Sequence, residues 1–501
     1  MRWAIDPGVR ENSFDYFEKT LLTENGFREY DARWLVDREI NPNGFVVLGR
    51  AYATMMREVI KEERVVVGHD FRSYSQDLCR SLVVGLLSAG VHVIDVGLCL
   101  TPMMYFAQHH FQCRAGLQVT ASHNENGWTG VKIADGLSST LGPEGIVAFK
   151  KIVYAGRFST GCGGYEAYEG LAELYRRDIL AGGALKRPAK VVVAAGNGTA
   201  GRFVPDILRA LGCEVVEVDC DPDWTFRKYN PNPEDLGFLK RISEATRENG
   251  ADLGLGFDGD GDRIGVVDDR GREVFADRLG LLVARSICRR HPGRSLVIDV
   301  KSTGLFLDDP ILRQTGTRVH MWKTGHSYIK AKVAKEGALA GFEKSGHWFF
   351  NPPLGRGYDD GVVSAANLLR VVDEAGRPLS AMLDELPRTW QSPTLGPRCG
   401  DGEKYAVVDS MLRRYREDME SGATIGGCRI KDLIDVNGVR FVLEDDSWGL
   451  IRASSNKPSL VVVAEARSSE DQLYEIVAQI QKRLAETGKV GPYDQEMPPR
   501  G

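Results

Sequence analysis

Short runs of β-branched residues alternate along the chain with stretches whose apolar side chains recur every three or four positions, beginning near residue 24. RVVVGHD (64–70) reads as a buried strand and LCRSLVVGLLSAG (78–90) as a helix closed by glycine. VHVIDVG (91–97) reads as the next strand, and AGLQVTASHN (115–124) as a strand that runs into a loop. This rhythm predicts β-α-β units and a largely parallel sheet. It restarts at AKVVVAAG (189–196), FVPDILRALG (203–212) and CEVVEVD (213–219). It restarts again at a helix near 277–290, followed by GRSLVIDVKST (293–303), TRVHMWKTG (317–325) and ALAGFEKSG (338–346). Beyond residue 400 the order changes. Helix KYAVVDSMLRRYREDM (404–419) precedes strands VNGVRFVL (436–443) and SLVVVAEA (459–466), and EDQLYEIVAQIQKRLAE (470–486) closes as an amphipathic helix. The expected fold class is three similar mixed α/β domains of roughly a hundred residues each, then a smaller α+β domain.

Length supports several domains, since 501 residues exceed the roughly 250–300 that one core serves. With 43% hydrophobic and 27% charged residues the composition is that of globular proteins, which excludes disorder as the main state. The net charge of −5 gives no global basic field, so nucleic acid is not an expected partner and an anionic ligand needs a local cationic pocket. Nine scattered cysteines without a CxxC indicate neither a disulfide framework nor a cysteine zinc site, which fits a reducing cytosol. The first residues lack the apolar core of a signal peptide, and no apolar run approaches roughly 18 residues. A cytoplasmic protein with no membrane association and no evident obligate protein partner is expected.

Four segments carry candidate chemistry. In GFDGDGDRIGVVDD (256–269), Asp258, Asp260 and Asp262 alternate with Gly259 and Gly261. Alternate side chains of an extended loop point the same way, so three carboxylates converge, and all-oxygen ligands favour a hard ion such as Mg²⁺. An EF-hand is excluded because its glycine and glutamate positions hold Arg263 and Asp269. In VTASHNENGWTGVKIA (119–134), Ser122 follows a strand in a loop of small and polar residues, a place suited to a nucleophile or phosphate carrier, or simply to a turn hydrogen bond. LIRASSNKPSLVVVAEA (450–466) sets Arg452, Ser454, Ser455, Asn456 and Lys457 between two strands, a donor-rich loop that can wrap a phosphate or merely turn a hairpin. In GFEKSGHWFF (341–350), Glu343, Ser345 and His347 alternate and could face one side, with Glu343 and Ser345 suited to sugar hydroxyls. Lys301, Lys323 and His326 lie upstream. GNGTAG (196–201) also matches the dinucleotide fingerprint GxGxxG, which alone would support an NAD-linked oxidoreductase but leaves the other loops unexplained.

Together these loops resemble the α-D-phosphohexomutase family, in its phosphomannomutase/phosphoglucomutase branch. The landmarks FREYDARW (27–34), VVVGHDFR (65–72), TPMMYFA (101–107), TASHN (120–124), GNGTAG, GFDGDGDR, DVKST (299–303), KTGHSYIK (323–330), FEKSGH (342–347), DDG (359–361) and RASSNKP (452–458) occur in the family's order. The resemblance implies four domains around a central cleft: 24–170 with the phosphoserine, 171–274 with the metal, 275–388 for sugar recognition, and 389–490 as a phosphate-binding lid. Residues 1–23 read as an N-terminal extension and 491–501 as a tail. It further implies that Ser122 is phosphorylated and that Asp258, Asp260 and Asp262 hold one Mg²⁺ with a phosphoserine oxygen. Glu343 and Ser345 would contact sugar hydroxyls, and Arg452, Ser454, Ser455 and Asn456 the non-reacting phosphate. Lys132, Arg263 and His347 match positions near proton transfer, with Arg33, Tyr30, Lys301, Lys323 and His326 in support. The implied reaction interconverts hexose 6-phosphate and hexose 1-phosphate, of mannose or glucose, with a hexose 1,6-bisphosphate as intermediate and activator. The alternative within the family is phosphoglucosamine mutase, and outside the enzymes a sugar-phosphate sensor. The sequence departs from the family pattern at Glu125, Thr129, Trp34 and Ser455–Asn456, none of them a core catalytic group.

Overall fold

The structure, a computed structural model, describes residues 18–455 and 457–498. Its strands form four sheets, and the first three share one plan. The first sheet contains β1 (Ala32–Leu35), β2 (Arg64–His69), β3 (His92–Leu98), β4 (Gly116–Val119), β5 (Trp128–Gly136), β6 (Ser139–Thr140) and β7 (Tyr165–Ala167), in the order β1-β5-β4-β2-β3-β7 with β6 beside β5. The second holds β8 (Ala189–Ala194), β9 (Cys213–Val218), β10 (Leu253–Phe257), β11 (Ile264–Asp268) and β12 (Glu273–Val274), ordered β12-β11-β10-β8-β9. The third holds β13 (Ser295–Asp299), β14 (Arg318–Trp322), β15 (Ala340–Phe342) and β16 (Trp348–Phe350), ordered β14-β13-β15-β16.

In each of these sheets the first strand of the unit pairs in parallel with the second and third, and a fourth strand returns antiparallel to the third. Parallel neighbours need a crossover, and helices such as Ser75–Ser88, Val204–Leu211 and Pro310–Gln314 supply it. The antiparallel return needs only a loop. It leaves the carboxyl end of a central strand, where open α/β sheets present their ligands. The three loops so placed are 120–127, 258–263 and 343–347. One topological position, used three times, therefore carries Ser122, the three aspartates and the Glu343–His347 group.

The fourth sheet is antiparallel throughout: β17 (Trp390–Gln391), β18 (Thr424–Ile425), β19 (Cys428–Ile434), β20 (Val439–Leu443), β21 (Trp448–Ala453) and β22 (Leu460–Ala466), ordered β17-β22-β21-β20-β19-β18. Helices Lys404–Ser421 and Glu470–Ala485 pack on it. It has its own core around Tyr415, Phe441 and Ile476, whereas one continuous apolar cluster runs through the first three domains. A small cluster of Val300, Trp448, Leu450 and Val463 joins the last domain to the third. The expected helix at 78–90 begins earlier, at Ser75, and ends at Ser88, with Gly90 at φ +86° turning the chain into β3. Among the described residues no helix is long and apolar enough to cross a membrane.

Candidate active site

The loop after β4 is built to hold Ser122 rigidly. Ser122 sits at φ +53°, a left-handed conformation that a non-glycine residue adopts only when its surroundings impose it. Its amide donates to Thr120 Oγ1 at 2.9 Å, and Thr120 Oγ1 donates to Asp70 Oδ2 at 2.8 Å. Asp70 pairs with Arg72 at 2.6 Å, and Arg72 Nη2 donates back to the carbonyls of Ser122 and Asn124 at 3.2 and 2.5 Å. The HDFR segment at the end of β2 is thus a buried brace for the serine loop. Arg33, opposite Gly130 on the β1–β5 pair, adds a donor to Thr120 O at 3.1 Å and pairs with Asp31 at 3.0 Å.

The aspartates converge, though not through strand alternation. Residues 258–262 form a turn with Gly261 at φ +76°, and backbone partners on three sides hold its curl. Gly259 O accepts from Thr199 N at 3.1 Å, Asp260 O from Thr101 N at 3.0 Å and Gly261 O from Gly361 N at 3.1 Å. A side chain at Gly259 would put Cβ 2.3 Å from Ser122 O, so this glycine lets the two loops touch. As a result Ser122 Oγ lies 3.2 Å from Asp258 Oδ2, across 136 residues of sequence. GNGTAG also finds its job here. Its Thr199 amide is spent on Gly259 O, and Gly198 backs directly onto Gly259, which leaves that amide unavailable to a dinucleotide phosphate.

All three carboxylates are fully buried, and one oxygen from each lies within 4.8 Å of the others. Lys132 Nζ bridges Asp260 Oδ2, at 2.8 Å, and Asp262 Oδ2. Arg263 Nε meets Asp258 Oδ2 at 3.1 Å. Two cations face three carboxyl groups, and Asp260 Oδ1 and Asp262 Oδ1 accept no hydrogen bond. Buried carboxylate oxygens without donors are what a hard divalent ion requires, so the residues fit Mg²⁺. Burial, and then the charges of Asp262 and Asp260, push Asp258 up to about 8. Against burial, the Lys132 ammonium and the Thr101 hydroxyl hold Asp260 below the usual carboxylate range.

The third-domain group lies in a tight turn, because β15 stops at Phe342. The expected strand-like alternation of Glu343, Ser345 and His347 is replaced by a hairpin turn with Gly346 at φ +94°. The turn is bridged to the metal loop by Ile264 N donating to Gly346 O at 3.2 Å. Ser345 Oγ donates to Glu343 Oε2 at 3.0 Å, and Gly325 N donates to Oε1 at 3.0 Å. Burial raises the Glu343 carboxyl above its ordinary value. His347 Nδ1 lies 3.1 Å from Asp359 Oδ2 and 3.8 Å from Asp262 Oδ1. Those two charges raise its pKa against the cost of burial. His326 goes the other way: burial, then Lys330, lower it well below the ordinary range, so it is a neutral imidazole. Tyr30 packs edge-on against His326 at 5.0 Å. Lys301 is buried on the loop after β13, whereas Lys323 is half-buried with its ammonium 5.5 Å over the Tyr328 ring.

From the last domain, Arg452 Nη1 donates to Asn437 Oδ1 at 3.2 Å and Ala453 O at 3.0 Å, while its buried Nε has no partner. Ser454 Oγ accepts from Lys457 N at 3.2 Å, and Ser455 sits at the loop tip. Asn456 lies outside the described residues. The loop's first residue is tied to the third domain, since Arg452 Nη1 and Thr324 N donate to the same Asn437 Oδ1, at 3.2 and 3.3 Å. Several participants carried no assigned role in the sequence reading. Asp359 was visible only as part of DDG. Lys404, whose Nζ holds Ser454 O at 2.7 Å, and Asn437, which accepts from Thr324 N at 3.3 Å, gave no local signal.

Comparison with known proteins gives a consistent picture. Four phosphoglucomutase/phosphomannomutase domain families match: alpha/beta/alpha domain I over residues 24–156, domain II over 174–271, domain III over 275–390 and the C-terminal domain over 399–483. A phosphomannomutase/phosphoglucomutase of Pseudomonas syringae pv. tomato is 35% identical over 451 residues, 90% of this chain and 93% of the relative. A phosphoglucomutase of Neisseria meningitidis serogroup A is 34% identical over 442 residues, 88% of this chain and 92% of the relative. A crystal structure of a phosphoglucomutase/phosphomannomutase family protein from Burkholderia thailandensis superposes with a TM-score of 0.83 at 31% identity, covering 95% of this chain and 100% of that one.

Proposed function

The chain belongs to the α-D-phosphohexomutase family and is an isomerase of its phosphomannomutase/phosphoglucomutase branch, and from that premise we propose that Ser122 carries the phosphoryl group it exchanges with hexose phosphates. The observation that carries this reading is the 3.2 Å approach of Ser122 Oγ to Asp258 Oδ2, two groups from different domains. Phosphoserine 122 donates to the free hydroxyl of a bound hexose monophosphate: the phosphorus–serine oxygen bond breaks and a phosphorus–sugar oxygen bond forms. The hexose 1,6-bisphosphate so made turns in the cleft and returns its other phosphoryl group to Ser122. The substrates are hexose phosphates of mannose and/or glucose.

Asp258, Asp260 and Asp262 would hold Mg²⁺ together with an oxygen of the phosphoserine. When bound, the ion neutralises charge on the transferring group, the main electrostatic need of such a transfer. Arg263, already on Asp258, and Arg33, beside Thr120, bring further positive charge to the serine loop. Lys132 and His347, whose pKa values the neighbouring aspartates raise, serve as proton carriers. One delivers a proton to Ser122 Oγ as that oxygen leaves, and the hydroxyl proton is taken up in exchange. Glu343 and Ser345 orient the sugar hydroxyls, with Tyr30, His326, Lys301 and Lys323 around them. Arg452, Ser454, Ser455 and Asn456 grip the phosphate that does not react. Each phosphate must reach both ends of the cleft in turn, and closure of the last domain keeps water from acting as acceptor meanwhile.

Incubation with phosphate-labelled glucose 1,6-bisphosphate tests the reading. Label is expected on Ser122, and a Ser122→Ala variant is expected to take up none and to turn over neither hexose 1-phosphate. Normal turnover by that variant would refute the assignment.

A further inference from the structure

One carboxylate outside the metal cluster touches both the last domain and an arginine of the site. Glu234 lies between β9 and β10, just before helix Leu236–Asn249. Its backbone is pinned to the second domain. Its amide donates to Asn232 Oδ1 at 3.2 Å, Pro233 is buried against Gly265, and Asp235 caps the helix by accepting from Phe238 N at 2.8 Å. The side chain then reaches in two directions. Oε1 accepts from Thr394 Oγ1 at 3.2 Å, and Oε2 lies 3.8 Å from Arg263 Nη1. Thr394 belongs to the last domain, since Leu395 exchanges two 2.9 Å hydrogen bonds with Val462 on β22 and Ser392 Oγ accepts from Ala464 N at 2.9 Å. Arg263 Nε meets Asp258 Oδ2 at 3.1 Å, and that oxygen lies 3.2 Å from Ser122 Oγ. A continuous path of polar contacts thus runs from the last domain to the serine. Against the cost of burial, the charges of Lys301 and Arg263 hold the Glu234 carboxyl below its usual value, so it meets Arg263 as an anion.

The geometry points to Glu234 as a positioning residue: with the last domain docked, Thr394 holds its carboxylate on Arg263, and this aims the guanidinium for phosphoryl transfer at Ser122. A guanidinium is planar and rigid, so anchoring Nε on Asp258 and Nη1 on Glu234 sets where the third nitrogen points. That nitrogen, Nη2, is buried and has no hydrogen-bond partner among the described residues, which leaves it for an oxygen of the transferring phosphoryl group. The Glu234 side chain is 35% exposed, and its 3.8 Å approach to Arg263 is an ion pair rather than a close hydrogen bond. Without the Thr394 hydroxyl the carboxylate can turn to water, and Arg263 keeps a single anchor. Glu234 thereby makes transfer fast only when the last domain covers the cleft and water is excluded. A carboxylate that merely repelled incoming phosphate would act in the opposite sense, and its removal would tighten substrate binding. The inference rests on the phosphoserine reading above.

The test uses the full chain with Mg²⁺ and follows single-turnover labelling of Ser122 by phosphate-labelled glucose 1,6-bisphosphate beside steady-state kcat and KM. Glu234→Gln keeps an oxygen for Thr394 and removes the charge facing Arg263. Its kcat and labelling rate are expected to fall about tenfold or more while KM changes less than about twofold. Thr394→Val is expected to slow both rates about threefold or more, and to add nothing in a Glu234→Ala background, where the path is already cut. Melting temperatures are expected to stay as in the parent. If Glu234→Ala does not fold, the two single variants decide without it. A lower KM at unchanged kcat in Glu234→Gln would overturn the positioning role and leave a repelling anion. Parental rates in either single variant would overturn it as well, and independent, multiplying losses in the double variant would overturn the coupling through Thr394. A parent that takes no label on Ser122 would remove the phosphoserine reading together with this role, whereas a labelled parent with unaffected variants would remove this role alone.

Discussion

At the scale of single residues, the site depends on how closely two loops from different domains can approach. Gly259 decides that distance. In Gly259→Ala the new Cβ would lie 2.3 Å from Ser122 O and 3.2 Å from Ser122 C, backbone atoms that cannot rotate aside. The loops must separate, and a displacement of about 1 Å between reacting groups costs about 100-fold in rate. We expect kcat to fall about that much, with a stability loss of about 1–3 kcal/mol. Steady-state kinetics beside thermal melts will show whether the rate falls far more than the stability. A second prediction concerns Asp258, raised to about 8 in the metal-free protein against an ordinary value of 3.8. A carboxyl raised on folding binds more protons folded than unfolded, so its contribution to stability is present below pH 4 and is lost as pH rises through 8. Chelated protein should therefore lose stability across that window. Mg²⁺, which needs the ionised carboxylate, should raise the melting temperature more at pH 9 than at pH 6. Equal shifts at both values would show that Asp258 is already ionised without metal. These residue-scale features were half legible. The alternation of aspartate and glycine announced the cluster, but an extended loop was expected, because the amides of Thr101, Thr199 and Gly361 that curl it come from remote segments.

At the scale of elements, a functional loop is only as firm as what braces it from behind. The phosphate loop between β21 and β22 leans on the start of helix Lys404–Ser421. Lys404 Nζ, itself buried, donates to Ser454 O at 2.7 Å and Lys457 O at 3.3 Å and pairs with Asp401 at 2.8 Å. Lys404→Leu should keep the helix and lose the brace. Hydrogen bonds from a charged donor contribute about 1.5–3 kcal/mol each, so a rise in KM of at least about tenfold for either sugar phosphate is expected, with a smaller change in kcat. A fall in kcat at constant KM would place Lys404 in the chemistry instead. Most elements were readable because their periods differ: β-branched runs gave β2, β3 and β8, and three-to-four spacing gave Glu470–Ala485. Their pairing was not. That β4, β10 and β15 each receive an antiparallel neighbour, so that three hairpin loops meet at one cleft, is a property of sheet order, and no local pattern encodes it. Lys404 has no local signature for the same reason, since its partners lie 50 and 53 residues away.

At the scale of the whole molecule, the phosphate loop acts only where the last domain is docked, and beside the apolar cluster of Val300, Trp448, Leu450 and Val463 one buried cation contributes to that docking. Arg440 on β20 is almost fully enclosed. Its Nη1 donates to Val300 O at 2.8 Å and Ser302 O at 2.7 Å, and its guanidinium lies 3.7 Å over the Trp448 ring. The two acceptors flank Lys301, so the contact that seats the lid also fixes the loop carrying a sugar-side lysine. Burial pulls this arginine down to about 10, a sign of how much hydration it gives up. A buried cation of this kind adds specificity of arrangement more readily than stability, and an apolar side chain of similar volume can be neutral or stabilising in its place. Arg440→Met separates the two effects. The melting temperature should hold or rise, whereas kcat/KM should fall at least about tenfold, since two charge-assisted hydrogen bonds are lost from the closed form. Small-angle scattering should show the free variant more extended than the parent, and saturating hexose phosphate should restore compactness, because a ligand held by both domains shifts the equilibrium toward closure. A variant as compact as the parent but equally impaired would locate the effect in Lys301 rather than in the lid. A variant that simply melts early would make Arg440 a structural residue, with no part in coupling the two domains.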